Sequence, residues 1–580
     1  MGKRTLLSCF VWCALSLLLT SCGGLWGTSA AQGPVPQITF SALGTATYTP
    51  FQPEGASPVP PTDAAPLVSP VASAVPVQPT ASASLNFLWI SPAVPDVLRQ
   101  AAITSGLPLV ASSETATLRL DVLPPHSSNN NLQSSVWYYA LVAPFPTITD
   151  AVGMADIRNT WAGTPSGPFS DRPLWMDEAT QAAFSKLWGA PASGSVQVVR
   201  TDQLVDSAWV AQPAWAIIPF EKLEPRWKVL SVDGQSPVHN DFDPAVYQLK
   251  IPFALQPAAF NLPVSNRDPK LLTVLAMTGT TALVRATADR MELHGVLYPG
   301  EEVRSVLRAA DITHVSNEIS FDPDCPTPDP WTNSLQFCSN PRYIALLEDV
   351  GVDLVELTGN HLLDYGPQDM LTTLDLYDKL GLKYFGGGRD LQSALQPALF
   401  EDHGNRLAFI GCNIAGPPND WATDNRPGSA PCNLDEMTAR ISSLRAQGYL
   451  VVWTFQYNEY YQSNPTPEEQ VAFRRMADAG AVIVSGSQAH MPASMELYDG
   501  SFIHYGLGNL FFDQMSHLMP DGSVIYDTRN VFIDRHIIYA GRYLGTELLT
   551  YIIEDYARPR LMTGSERIKF LQHIFSAAGW

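Results

Sequence analysis

The sequence predicts an α/β protein with a largely parallel, layered sheet and mixed edges. Three observations carry this. Apolar runs of strand length alternate with stretches of helical periodicity. In the second half, successive apolar runs end in short polar motifs, as strands do where a sheet edge builds a site. Late runs at 502–505 and 531–533 follow one another without the earlier β-α-β rhythm.

Taken in order, residues 86–262 read as one α/β domain. Its strands are Leu85 to Ile90, Val136 to Val142 and Trp215 to Ile218, with a helix from Asp177 to Trp188. The run Trp137-Tyr138-Tyr139 reads as core. Residues 263–580 form the second domain. Leu271 to Ala276 is a buried-type strand, and Gly300 to Ala310 is expected to be a helix with Val303, Val306 and Leu307 on one face. Strands follow at 314–316, 354–357, 407–410, 450–455 and 481–484. Helices are expected at 343–350, 370–380 (ended by Gly381) and 468–479.

The N-terminus reads as an export signal. Lys3 and Arg4 precede an apolar stretch, Leu6 to Leu19, too short to span a bilayer comfortably. The segment ends in Leu19-Thr20-Ser21-Cys22, which resembles a bacterial lipobox. That predicts a lipoprotein signal over 1–22, with Cys22 lipidated and the chain held on a membrane from outside the cytoplasm. Residues 23–85, rich in Pro, Ala, Ser and Thr, read as a semi-extended tether. With Cys9 and Cys13 in the signal, four cysteines remain. The simplest pairing is Cys325 with Cys338 and Cys412 with Cys432. A net charge of −21 argues against a nucleic-acid partner and gives no steering toward polyanions.

The motifs that carry chemistry are Ser316-Asn317-Glu318, Thr358-Gly359-Asn360-His361 with Asp364-Tyr365-Gly366, Gln456 with Glu459-Tyr460, Gln488-Ala489-His490, and Tyr505-Gly506-Leu507-Gly508-Asn509. From about 271 to 513 the chain resembles the CapA family of capsule or poly-γ-glutamate synthesis proteins. The resemblance rests chiefly on Asn-His-x-x-Asp-Tyr-Gly and Tyr-x-Leu-Gly-Asn. It implies the calcineurin-like metallophosphoesterase superfold, a layered β-sandwich with flanking helices. In the first domain, Ala143-Pro144-Phe145, Ile218-Pro219-Phe220 and the run Trp227 to Pro237 follow strands in an order resembling a lobe of phosphate-type periplasmic solute-binding proteins.

Enzymes of that superfold hold two divalent metals that lower the pKa of a bridging water. The resemblance implies Glu318 as a metal carboxylate, His490 as a histidine ligand, Asn360 as a ligand or oxyanion donor, His361 as a general acid and Glu459 as the family's acidic residue. The chain also departs from the family. Thr280 stands where the family has Asp, and Gln456 and Gln488 stand where it has His. Amide and hydroxyl oxygens replace imidazole and carboxylate poorly for transition metals. The pattern predicts no conventional dimetal centre and room for one weakly held divalent ion. Taken singly, Glu318 reads as a helix-start carboxylate, His361 as a loop histidine, and Asn360 and Asn509 as turn-formers. Taken together, with Thr280, Asn317, Gln456, Gln488 and Asn509, they predict one pocket.

Two functions are compatible. The first is a surface lipoprotein whose pocket binds polymer or assists membrane proteins of polymer synthesis, attachment or export. The alternative is a metal-dependent hydrolase or transferase acting on a surface polymer or phosphoester.

Overall fold

The computed structural model describes residues 86–124, 131–170 and 172–580. The expected export signal with Cys22 and the expected tether lie outside the described residues. Among the described residues no helix is long and apolar enough to cross a membrane.

Residues 86–262 build a nine-stranded mixed sheet around the long strand Gln133–Pro144. That strand pairs antiparallel with Trp215–Pro219, Trp227–Val232 and Lys250–Gln256. The expected helix is present as Glu178–Trp188, with Asp177 capping it through the Thr180 amide. Trp137 and Tyr139 are core residues, as their apolar run implies.

The second domain has four layers, helix–sheet–sheet–helix. In the first sheet, Lys383–Phe385, Leu354–Glu356, Ile312–Asn317 and Leu272–Thr281 run parallel. The sheet continues antiparallel through Asn530–Tyr539, Arg542–Glu554 and Arg558–Leu561. In the second sheet, Asn405–Asn413, Leu450–Gln456, Ala481–Ser485 and Ser501–His504 run parallel. Antiparallel Ala398–Asp402 and Met495–Tyr498 close its edges. Leu275, Met277, Ile312 and Leu354 of the first sheet share an apolar core with Phe409, Val452, Ile483 and Phe502 of the second. Helix Pro367–Leu380 covers the first sheet, and helices Leu434–Ala446 and Pro467–Asp478 cover the second. The motif-bearing strand ends all belong to these parallel strands, so the polar motifs emerge at one end of both sheets.

One expected element is corrected. Gly300 to Ala310 is not a continuous helix. A 3-10 turn at Tyr298–Gly300 is followed by a single turn, Arg304–Leu307. Val303 and Leu307 are buried, one turn apart, which is all the apolar surface the segment has to cover. The helices Arg285–His294, Leu434–Ala446 and Gly564–Ala577 had no place in the sequence reading. Both expected disulfides are formed, Cys325–Cys338 and Cys412–Cys432.

The space between the two sheets also holds polar side chains. His504 Nδ1 lies 2.6 Å from Asp534 Oδ2, and His536 Nδ1 lies 2.7 Å from Thr546 Oγ1, with all four residues buried. Burial lowers the pKa of His536 to about 4. The folded protein therefore keeps this imidazole neutral, while the unfolded chain takes up its proton below about pH 6.5. Stability is expected to fall as pH drops from about 6.5 toward 4, by roughly 3 kcal/mol from this residue. Denaturant titrations at pH 7 and 4.5 should show a smaller acid loss in His536→Gln.

Candidate functional site

The strand-end motifs converge on a cavity of about 650 Å³. Glu318, Asn360, His361, Glu459 and His490 all line it, so five residues spread over more than 170 positions meet in one cleft. The backbone explains how. Ile319 bridges His361 in parallel register, and Gly359 passes so close to Glu318 that a Cβ there would lie 2.7 Å from the Glu318 Cα. Only glycine permits that approach. On the other side, Asn509 on the Asn509–Phe511 strand pairs with Thr280 at the end of Leu272–Thr281.

His490 is held by Asn509. The Asn509 amide nitrogen donates to the carbonyls of His490 and Thr528, at 3.0 and 3.2 Å, which turns its oxygen to His490 Nδ1 at 2.8 Å. The ring therefore carries a proton on Nδ1, which leaves Nε2 turned to the cleft. That Nε2 lies 3.7 Å from Glu318 Oε1 and 3.5 Å from Glu459 Oε1. Phe512 stacks on the same ring. Glu459 is steadied by Tyr461, whose hydroxyl donates to Oε2 at 3.0 Å and accepts from the Gln514 amide at 2.9 Å.

Glu318 is fully buried, and neither carboxylate oxygen has a hydrogen-bond partner among the described residues. Burial raises its pKa; His490 and His361 pull it back, and Glu459 and Asp364 push it further up. A buried carboxylate with no donor is costly unless a cation or proton meets it. One ligand atom each from Glu318, Glu459 and His490 lies within 4.8 Å of the others. Two carboxylates and one imidazole on that scale fit a single divalent cation.

His361 Nδ1 lies 2.8 Å from Asp364 Oδ2, and Phe337 packs on its ring. Burial works against its charge, but the Asp364 hydrogen bond and the charges of Glu318, Asp364 and Asp420 outweigh it and raise its pKa. Behind it, Asp420 is pushed up to about 6 by burial and by Asp364, with His361 opposing.

Thr280, Gln456 and Gln488 are buried at the ends of their strands or in the loops that follow. Thr280 Oγ1 and both amide atoms of each glutamine have no partner among the described residues. None of the three lines the cavity itself. Asn317 is a correction. Its amide donates to the Ile319 carbonyl and to Tyr377 OH, so it fastens the strand to helix Pro367–Leu380 instead of lining the cleft. Strand alternation turns it away from the side that Glu318 faces.

The sequence reading missed several lining residues. Arg285 bonds the Asp513 carboxylate through two of its nitrogens and lies over the rings of Phe337 and Phe512. Asp513 also accepts from the Ala286 amide, and Gln514 steadies Tyr461. The available signal was position: Asp513-Gln514 directly follow the strand that begins at Asn509, and Arg285 follows the strand that ends at Thr281. The Cys325–Cys338 disulfide closes the loop carrying Pro330, Thr332 and Leu335 to the cleft wall.

Two other places stand apart from this cleft. Asp311, Asp402 and His403 approach one another at the opposite end of the strands, but one oxygen of Asp311 already accepts from Val274 and Asn240, and one oxygen of Asp402 accepts from Thr273 and lies 2.7 Å from His403 Nδ1. A larger cavity, about 810 Å³, lies in the first domain; Ile218, Pro219 and Trp227 line it, and none of the second domain's motif residues does.

Residues 274–514 match the model of a family described as bacterial capsule synthesis protein PGA_cap. The chain is similar to the capsule biosynthesis protein CapA of Bacillus anthracis, 25% identical over 283 residues, covering 46% of this chain and 68% of that protein. It is also similar to the PGA biosynthesis protein CapA of Bacillus subtilis (strain 168), 27% identical over 215 residues, covering 37% and 56%. Among solved structures, a 5'-nucleotidase precursor from Thermus thermophilus is 14% identical with a TM-score of 0.30, covering 53% of this chain and 59% of that one. An ABC-type phosphate transport receptor from Vibrio cholerae is 12% identical with a TM-score of 0.24, covering 32% and 88%.

Proposed function

Because residues 274–514 are a domain of the bacterial capsule synthesis protein family PGA_cap, we propose that this protein takes part in the synthesis, attachment or export of a capsule-type polymer. Its cleft acts there mainly in binding and assembly, around one divalent cation. The observation that carries this reading is the unpartnered, fully buried Glu318 carboxylate facing His490 and Glu459. Asn509 and Tyr461 pre-orient the two partners. A cation held there would supply positive charge for an oxygen of the polymer. Asn360, whose side-chain oxygen is buried without a partner, and His361, steadied by Asp364, face the same cleft as polar contacts. Thr280, Gln456 and Gln488 supply no charge or imidazole for a second ion, which supports binding over two-metal hydrolysis.

Elemental analysis and Mn²⁺ calorimetry on the purified protein are expected to give one ion per chain. Glu318→Gln should weaken that binding more than 100-fold, beyond the ~10–100-fold typical of outer-shell changes. It should also raise the melting temperature of the metal-free protein, because a buried carboxylate without a donor is removed. Two tightly held ions together with metal-dependent phosphoester or peptide turnover would instead support the hydrolase reading.

The location proposed with this function is the outer face of the bacterial cell membrane, through lipid on Cys22. The polymer and the membrane proteins that make it are the proposed partners. Cys22→Ala is expected to abolish incorporation of labelled fatty acid. Unchanged labelling would rule out Cys22 as the anchor.

A further inference from the structure

Glu356 lies outside every motif named above and does not line the cleft. It is the last residue of the strand Leu354–Glu356, and its side chain is fully buried between the two sheets. Three donors converge on its carboxylate. Thr358 Oγ1 donates at 2.5 Å to one oxygen. Ser487 Oγ donates to the other, which also lies 3.2 Å from His314 Nε2.

The origins of these donors matter more than their number. Thr358 stands two residues before Asn360 and three before His361. Ser487 stands next to Gln488 and three residues before His490. The first loop leaves one sheet and the second leaves the other. A single carboxylate therefore joins the two loops that carry the histidines of the cleft, 131 positions apart in sequence. Asn413 adds a weaker link across the same gap, its amide reaching the Gly359 carbonyl at 3.3 Å.

A stability argument alone does not account for this residue. Removing a carboxylate from water costs several kcal/mol, and a well-packed apolar side chain in such a place is often neutral or stabilising. The neighbouring inter-sheet positions are filled by Leu354, Phe385 and Ile483. What a buried, multiply bonded carboxylate adds is a fixed registry between the groups it joins.

We propose that Glu356 is a positioning residue that locks the Asn360–His361 loop to the Gln488–His490 loop. It thereby sets the distance between His361 and the Glu318–His490 pair. The inference rests on the cleft being the working site, but its main readout needs neither cation nor polymer.

Hydrogen exchange of the full-length protein without added metal is the test. Glu356→Gln keeps the volume but replaces one acceptor oxygen by a donor. It should speed exchange at least 10-fold in both 357–362 and 486–491. Glu547→Gln is the control. It breaks a carboxylate bonded to His239 and Arg535, far from either loop. Matched for loss of melting temperature, it should leave both loops protected. Ser487→Ala guards against a Glu356 variant that does not fold, and it too should loosen 357–362 on the opposite sheet. A second arm measures Mn²⁺ affinity, expected to fall about 10–100-fold in Glu356→Gln and to stay unchanged in Glu547→Gln. The proposal is overturned if Glu356→Gln loosens the loops no more than Glu547→Gln, or if the effect of Ser487→Ala stays within 486–491. If the wild-type protein takes up no Mn²⁺, the cation reading of the cleft fails, and the exchange data still decide the role of Glu356.

Discussion

The triple variant Thr280→Asp, Gln456→His, Gln488→His is expected to hold two divalent ions per chain, one more than is proposed for the wild-type protein. Gln488 shares a loop with His490, Gln456 ends the strand that leads to Glu459, and Thr280 stands near the end of the strand beside the one that leads to Glu318; all three are buried. Their polar atoms have no partners to lose, so each exchange replaces a free neutral group by a ligand of similar size. Glu318 would then face cations on two sides instead of one. Without metal, the added carboxylate and imidazoles should destabilise the fold, because the variant gathers more buried titratable groups lacking donors. With Mn²⁺ the melting temperature should recover and pass that of the wild-type protein, since ions bound to the folded state alone stabilise it by mass action. Elemental analysis gives the stoichiometry and thermal denaturation the linkage. An unchanged ion count would mean that side chains at these strand ends do not come within ligand reach of Glu318.

The second large effect is structural. Gly279→Ala is expected to cost more than about 3 kcal/mol, in the range reserved for severe core clashes. A Cβ on Gly279 would stand 1.8 Å from the Gly508 carbonyl oxygen. That oxygen accepts the Thr280 amide at 3.0 Å, so it cannot withdraw without breaking the strand pairing. Gly508 cannot yield either. Its φ is +78°, and its own surroundings, the Asn530 carbonyl and the Pro492 ring, lie within 3 Å of where a Cβ would be. Displacing this pair also moves Asn509, and with it the bond that sets the His490 tautomer. A melting temperature close to that of the wild-type protein would show that the two strands do not approach as described.

Much of the second domain was legible because its strands are buried on both faces. A strand such as Leu450–Gln456 reads as an unbroken apolar run that stops where the polar end begins. The single turn at Arg304–Leu307 was over-read as a helix because its two buried residues match helical spacing at any length. Asn317 was placed in the cleft because it adjoins Glu318, but neighbours on a strand face opposite sides. Arg285 and Asp513 escaped notice because their pairing spans 228 positions and leaves no local pattern.

The chain alone pointed to the main parallel strands of the second domain, to the sequence-local cysteine pairing, and to the polar side chains that stand at strand ends, because hydrophobic periodicity and sequence proximity are local properties. Only the tertiary structure decided that Glu318 has no donor, that Asn509 fixes the proton of His490, and that Glu356 reaches across to Ser487. Those facts depend on how two sheets face one another, and the contacts between sheets join residues that no sequence interval connects.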